Sequence, residues 1–392
     1  MQYLKIFVIY CLRIVLRLFY IFPINEKKIL FNCYKGRQYS CNPKYIFEYL
    51  YENYKDKYQY IWCLDDRGKL PEGNKCIKTV KYLSLHYCFH LLTAKYYIFN
   101  DGINPVFPIR KEQIVVNTWH GGGAYKKTGI GSNTASRKLL KMVWGIRSKM
   151  TKYIISSCRL FTQYTAKDFL CEESVFLPIG MPRNDIFFIL SKYETIKEKV
   201  YNYFNIQSKN AIVLYAPTYR GDHKMLDNKI FKNLFSSINI GQILKILKEK
   251  FKKDFLFLMR SHYVYYDMNK YSQLENNIVF ASDYPDMQDL LCVADVLITD
   301  YSSSMWDFSL TYKPCFIYAP DVEKYSAEQG FYTPVEEWPF PLAKTNDELV
   351  KNILQFDKEK YAEAVKRHHA DLGSYENGTA TKQFCEKIFA HT

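Results

Sequence analysis

Three stretches of this 392-residue chain carry residue types that do chemistry on phosphates. The first, residues 294–310, reads ADVLITDYSSSMWDFSL. Val296-Leu297-Ile298-Thr299 is an apolar or β-branched run, as expected of a strand buried on both faces. It stops at Asp300. Tyr301-Ser302-Ser303-Ser304 follows, and Met305 to Leu310 can continue as a helix with a serine cap. A strand that ends in hydroxyls and opens a helix makes an anion site. The N–H groups of the first turn point outward, the dipole adds partial positive charge, and the hydroxyls add donors. An ordinary capped helix of an α/β domain is the other reading of these residues.

The second stretch is Thr118-Trp119-His120-Gly121-Gly122-Gly123-Ala124-Tyr125-Lys126-Lys127-Thr128-Gly129, directly after a strand candidate at 113–117 (QIVVN). Histidine can take a proton near neutral pH. Glycines let a substrate approach the backbone, and Lys126 and Lys127 suit phosphates. The alternative is a glycine-rich loop with a structural histidine. The third stretch is Arg260-Ser261-His262, after FLFLM at 255–259; Arg220 stands after AIVLYA at 211–216. Taken singly, each of these is more simply explained as a surface salt bridge or a cap.

The elements that must position them alternate. Strand candidates in the first half are 28–32 (KILFN), 60–64 (YIWCL), 96–100 (YYIFN), 113–117, 153–156 (YIIS) and 175–177. Helical patterns at 43–53 and 83–93 lie between them, which means a parallel sheet with helices on both faces. His86 and His90, four apart on the second helix and without a further ligand nearby, read as structural. The segment from Pro178 to Asp185 is rich in turn formers. A polar helix near 192–205 leads to the next strand, so the domain boundary is expected between Asp185 and Asn210. The second half repeats the alternation at 211–216, 255–259, 278–280, 296–299 and 315–318. Five strand ends followed by polar residues would line one sheet edge, where ligands of open α/β sheets bind. There Arg220, Arg260, His262 and the serine turn can converge on phosphate. Helices are expected at 347–355, 358–371 and 380–389, the last packing back toward the first domain. The predicted division is 1–25 as a membrane-associating helix, 26–190 and 205–372 as two domains, and 373–392 as the returning helix.

Composition bounds the rest. The length suits two domains, and 48% hydrophobic residues suffice for two cores. A formal net charge of +14 favours an anionic partner. No zinc-finger spacing, RNA-binding signature or long basic run points to nucleic acid. The 11 cysteines are scattered, with no C-x-x-C, and read as reduced thiols of a cytosolic compartment. No D-x-D motif occurs, so neither an obligatory metal nor a cofactor is expected. Residues 3–22 are apolar except for Lys5, Arg13 and Arg17, which fall within an arc of about 120° on a helix. That predicts a helix lying in the membrane interface, its basic face toward lipid headgroups, attaching the protein peripherally at the cytoplasmic face. A spanning helix is long enough but puts two arginines near mid-membrane. A basic helix packed on its own domain is the third reading.

Together these pieces resemble the CDP-glycerol glycerophosphotransferase family, the teichoic-acid polymerases and primases. The matching residues are Trp119-His120-Gly121 with Lys126, Lys127 and Gly129; Gly180-Met181-Pro182-Arg183-Asn184-Asp185; Tyr215-Ala216-Pro217-Thr218-Tyr219-Arg220; Arg260-Ser261-His262; Ala294-Asp295 through Asp307-Phe308; Gly330-Phe331-Tyr332; and the stretch YENGTATKQFCEKIF from Tyr375 to Phe389. The resemblance implies a GT-B architecture, two Rossmann-like domains facing across a cleft with the nucleotide on the second. It implies transfer of a polyol phosphate, glycerol phosphate first among them, from a CDP-polyol to a hydroxyl of a membrane-linked acceptor, with release of CMP. His120 matches the general base. Arg260 and His262 match the pair at the diphosphate, and Ser302 and Ser303 the phosphate-binding helix start, with Asp307 one turn in. Arg220 joins the donor side; Gly121, Gly122, Lys126 and Lys127 form the acceptor or phosphate loop. Two departures bear on acceptor and polyol: Gly121-Gly122-Gly123-Ala124 stands where many members have Gly-Thr-Pro, and Trp338-Pro339-Phe340-Pro341 where Pro-Gly-Pro is common. The long N-terminal region of the large polymerases is absent, which leans toward a single-module transferase. The competing expectations are CDP-ribitol as donor, a GT-B glycosyltransferase using a nucleotide sugar, and an inactive membrane-tethered nucleotide-binding scaffold.

Overall fold

The computed structural model describes residues 2–71, 73, 77–132, 137–207, 209–218, 237–260 and 277–389. Its apolar runs form two all-parallel sheets. The first holds β1 (Asn25–Asn32), β2 (Gln59–Cys63), β3 (Lys78–Val80), β4 (Ala94–Phe99), β5 (Ile114–Asn117), β6 (Tyr153–Ser156) and β7 (Phe176–Pro178), in the order β3-β2-β1-β4-β5-β6-β7. The order reverses between β1 and β4, the switch point of a doubly wound sheet. Alternation along β1 fills both faces: Ile29 and Phe31 join a core with Phe47 and Trp62, while Leu30 joins one with Ile61, Leu91 and Tyr97.

The second sheet holds β8 (Ala211–Tyr215), β9 (Phe255–Met259), β10 (Ile278–Phe280), β11 (Val296–Thr299), β12 (Cys315–Tyr318) and β13 (Leu342–Ala343), in the order β10-β9-β8-β11-β12-β13. It reverses between β8 and β11. The short edge strands β3 and β13 have no counterpart among the sequence-derived strands, and neither do the helices Arg137–Met150, Arg159–Phe169 and Ile240–Phe251 among the sequence-derived helices.

Packing divides the chain into two units. One comprises Met1–Gly121, Lys127–Asp185 and Ser374–Thr392; the other comprises Gly122–Lys126 and Ile186–Gly373. The motif at 180–185 is the seat of the last helix, Ala380–Phe389. Asp185 caps it, its carboxylate accepting from the N–H groups of Ala380 at 2.9 Å and Thr381 at 2.7 Å. Glu376 accepts from Met181 N and Asn184 Nδ2, each at 3.0 Å. Gly180 has φ +83°, and a Cβ there would lie 2.9 Å from Tyr375 O, so both conformation and space demand glycine. Phe384, Ile388 and Phe389 of the helix complete the core around Phe31 and Trp62.

At the N-terminus, the helix Gln2–Leu16 continues as a 3-10 turn, Arg17–Ile21. Arg13 does not face outward with Lys5 and Arg17. Its guanidinium donates to Pro105 O at 2.6 Å and Phe107 O at 2.8 Å, on the protein's own loop after β4. Arg110 in turn donates to Phe19 O and Phe22 O. The expected basic stripe is therefore broken, because the half-buried Arg13 guanidinium turns onto loop carbonyls that retain accepting capacity, Phe107 O also accepting from Ile109 N. Beside the exposed Lys5 and Arg17, the helix and turn expose large apolar side chains: Leu4, Phe7, Ile14, Leu18 and Ile21 are each at least 64% exposed. Among the described residues, no helix is long and apolar enough to cross a membrane.

Candidate active site

In the first unit, β5 delivers Thr118, Trp119 and His120 at its carboxyl end. His120 is half-buried, and its Nδ1 lies 2.6 Å from Asn100 O at the end of β4. A carbonyl only accepts, so Nδ1 carries the proton in the neutral ring and Nε2 carries the lone pair. The ring is flanked by Trp119 at 4.6 Å and by Tyr34 at 5.7 Å, edge-on. Asn100 itself is fully buried, and its Oδ1 accepts from Tyr34 N at 2.9 Å. Asn42 Nδ2 holds the carbonyls of Thr118 at 2.9 Å and Trp119 at 3.1 Å. These ties support an uncommon backbone, since Trp119 has φ 52° and Tyr34-Lys35-Gly36 run at 47°, 59° and 86°. Burial pushes the next carboxyl, Asp101, up to about 6, with Lys35 and Arg147 partly offsetting it.

From Gly122 to Lys126 the loop belongs to the second unit. Gly122 is buried against Trp306, and a Cβ there would lie 2.1 Å from Trp306 Cδ1. Its glycine thus answers to a tryptophan, whereas the sequence pointed to substrate approach. Lys126 pairs with Phe331 in an antiparallel bridge and is half-buried; Lys127 and Gly121 are half-buried also.

In the second unit, β11 ends at Thr299, and Asp300 turns its carboxylate back on the chain. It accepts from Thr218 N at 2.8 Å, from Thr218 Oγ1 and from Tyr301 N. One buried carboxylate thereby ties the loop after β8 to the serine turn, across the switch point. Ser302 and Ser303 are half-buried at the start of a one-and-a-half-turn helix, Ser304–Ser309. Ser304 N and Oγ both donate to Ser302 Oγ, at 3.3 and 3.0 Å. Ser303 occupies the cap position without a side-chain capping bond. Asp307 points into the core, only 3% exposed, where Gln288 Nε2 donates to it at 2.9 Å. Arg260 donates to Ala281 O at 3.1 Å and Tyr284 O at 2.7 Å, bracing the loop after β10. Arg220 and His262 lie outside the described residues.

Sequence reasoning passed over Asn100, Asn42, Asp300 and Trp306 as working parts. One signal was present: the candidates at 28–32, 96–100 and 113–117 all end on asparagine. Asn32, Asn100 and Asn117 are all buried at the sheet edge. Among the described residues, no group of three His, Cys, Asp or Glu is placed to hold a metal ion.

Two doubly wound parallel sheets, with a histidine at a strand end of one and a hydroxyl-rich turn at the switch point of the other, define a group transferase of the GT-B fold. The chain belongs to the CDP-glycerol:poly(glycerophosphate) glycerophosphotransferase family, whose model matches residues 14–390. It is 31% identical over 388 residues to a teichoic acid poly(glycerol phosphate) polymerase of Bacillus spizizenii, covering 96% of this chain and 95% of that one. It spans about half the length of two longer relatives of the same name. A teichoic acid ribitol-phosphate primase of Bacillus spizizenii is 26% identical, with 93% and 92% covered. Among solved structures, the wall teichoic acid polymerase TagF superposes with a TM-score of 0.81 at 26% identity, covering all of this chain and 97% of that one. The chain is thus a transferase of this family.

Proposed function

We propose that this enzyme moves glycerol phosphate from CDP-glycerol to a hydroxyl of a lipid-linked acceptor in teichoic acid or related cell-surface polymer synthesis. The observation that carries the chemistry is the Nδ1–H···O=C bond from His120 to Asn100, which leaves the lone pair on Nε2. The acceptor hydroxyl gives its proton to Nε2 as its oxygen bonds to the phosphorus that bears the glycerol. The bond from that phosphorus to the CMP oxygen breaks, and CMP departs with the electron pair. The negative charge on CMP is met by donors of the Ser302–Ser303 turn and by Arg260, with His262 and Arg220 assigned to the same task by the sequence motifs alone. Asp300 and Asp307 act behind them, holding the turn in shape. The absence of a D-x-D motif supports a reaction without an obligatory metal.

Glycerol is favoured over ribitol by the family and by the 31% identity to a teichoic acid poly(glycerol phosphate) polymerase. The ribitol-phosphate primase likeness keeps CDP-ribitol as the second donor reading. We place the enzyme peripherally on the cytoplasmic face of the cell membrane. The exposed Leu4, Phe7, Ile14, Leu18 and Ile21 support that reading better than the basic residues do. Incubation with CDP-glycerol, CDP-ribitol and UDP-sugars plus a lipid-linked acceptor, with release of CMP or UDP measured, tests it. CMP from CDP-glycerol is expected; CMP from CDP-ribitol alone overturns the glycerol reading, and UDP release overturns the reaction class.

A further inference from the structure

We propose that Trp306 is a positioning residue for the catalytic loop, setting the register of His120 through direct contact with Gly122. This rests on the reading of His120 as the base. A Cβ on Gly122 would lie 2.1 Å from Trp306 Cδ1, 2.8 Å from Cγ and 2.9 Å from Nε1. The indole therefore lies flush on the backbone of the loop, and even a methyl group between them forces one side to move.

Trp306 is the side that cannot yield. It is fully buried. His369, on the helix Lys358–Leu372, packs against its ring at 4.3 Å. Ser309 Oγ donates to Trp306 O at 2.7 Å and meets His369 Nε2 at 2.7 Å. The loop beyond Gly122 is held as well. Tyr125 O accepts from Tyr332 N at 2.7 Å, its hydroxyl lies 3.0 Å from His368 Nε2, and its ring meets Trp338 at 4.6 Å. Gly123 has φ +67°, and a Cβ there would meet the Tyr125 ring at 2.4 Å. A displacement at Gly122 therefore travels toward Gly121 and His120, two residues away and within about 7 Å along the chain. Misplacing a reacting group by about 1 Å costs on the order of 10²-fold in rate.

The glycine has another explanation, close approach of substrate to the backbone, and a double substitution separates the two. Gly122→Ala is expected to lower kcat by about 10²-fold while the calorimetric Kd for CDP-glycerol changes less than about threefold. Gly122→Ala with Trp306→Leu, which removes the obstructing ring, is expected to regain at least tenfold of that loss. Trp306→Met in the same background is the second relief variant. Folding of each is checked by thermal melting. Folded double variants no more active than Gly122→Ala overturn the proposal, as does wild-type kcat in Gly122→Ala. Should neither double variant fold, a loss of Gly122→Ala activity that resides in donor affinity rather than kcat overturns it. Failure of the base reading looks different: His120→Ala would then keep its turnover while the rescue by Trp306→Leu persists.

Discussion

The Nδ1 nitrogen of His120 lies 2.6 Å from the backbone oxygen of Asn100. This contact joins the ends of two neighbouring strands, β5 and β4, and selects one tautomer of the ring. Because the partner is a main-chain atom, substitution of Asn100 tests its support rather than the bond itself. Asn100→Ala removes the acceptor of Tyr34 N and opens a buried polar gap. It is expected to cost about 1–3 kcal/mol of stability and to lower kcat more than donor affinity. Thermal melts with steady-state CMP release check this; unchanged kcat in a destabilised variant would assign Asn100 to folding alone.

Asp300 should matter for the donor. Asp300→Asn keeps the shape but offers an amide where Thr218 N and Tyr301 N need acceptors. The serine turn and the loop after β8 should then loosen. Calorimetry is expected to show CDP-glycerol affinity down by about tenfold, with stability reduced by about 1–3 kcal/mol. Wild-type donor affinity in this variant would remove the serine turn from the donor site.

The parallel strands were legible to the residue at 153–156, 255–259, 278–280, 296–299 and 315–318. A strand buried on both faces must be an unbroken apolar run, and the flanking polar residues mark its ends. Ile278–Phe280, a half-buried edge strand, was legible because all three of its residues are apolar; Lys78–Val80 and Leu342–Ala343 were not, since an edge strand pairs on one side only and need not be an apolar run. His120 stood out by type and loop, but its partner is a carbonyl, which no side chain announces. Gly122 was read for substrate approach because Trp306, far along the chain, could not be foreseen against it. Lys5, Arg13 and Arg17 share one helical arc, yet an arc does not say on which side the domain lies.

Acid should destabilise the second unit through His368 and His369. Burial holds both down to about 4 from an ordinary 6.5, with His368 adding repulsion to His369. The unfolded chain takes up protons below about 6.5 that the folded chain refuses until about 4. Stability is therefore full above 6.5 and falls as pH drops through that window. Between pH 7.5 and 5 each histidine should remove about 1–2 kcal/mol. Denaturant titrations at both values should show the drop, smaller in His368→Gln; an equal drop in that variant would contradict the assignment.

Lipid attachment should depend on the apolar face of the N-terminal helix. Leu4→Ser with Phe7→Ser and Ile14→Ser is expected to abolish co-sedimentation with anionic vesicles, and wild-type binding should survive high salt. Arg13→Glu should instead loosen the helix from Pro105 and Phe107, read as a lower melting temperature. Vesicle binding retained by the triple variant would refute attachment through this face.

The base assignment of His120 is tested most directly by measuring CMP release and CDP-glycerol affinity side by side in His120→Ala. A general base contributes about 10²–10⁴-fold to rate. Turnover should fall by that factor at saturating donor, with calorimetric affinity nearly unchanged. If the variant instead fails to bind CDP-glycerol yet retains turnover at saturating donor, His120 is a nucleotide ligand and not the base.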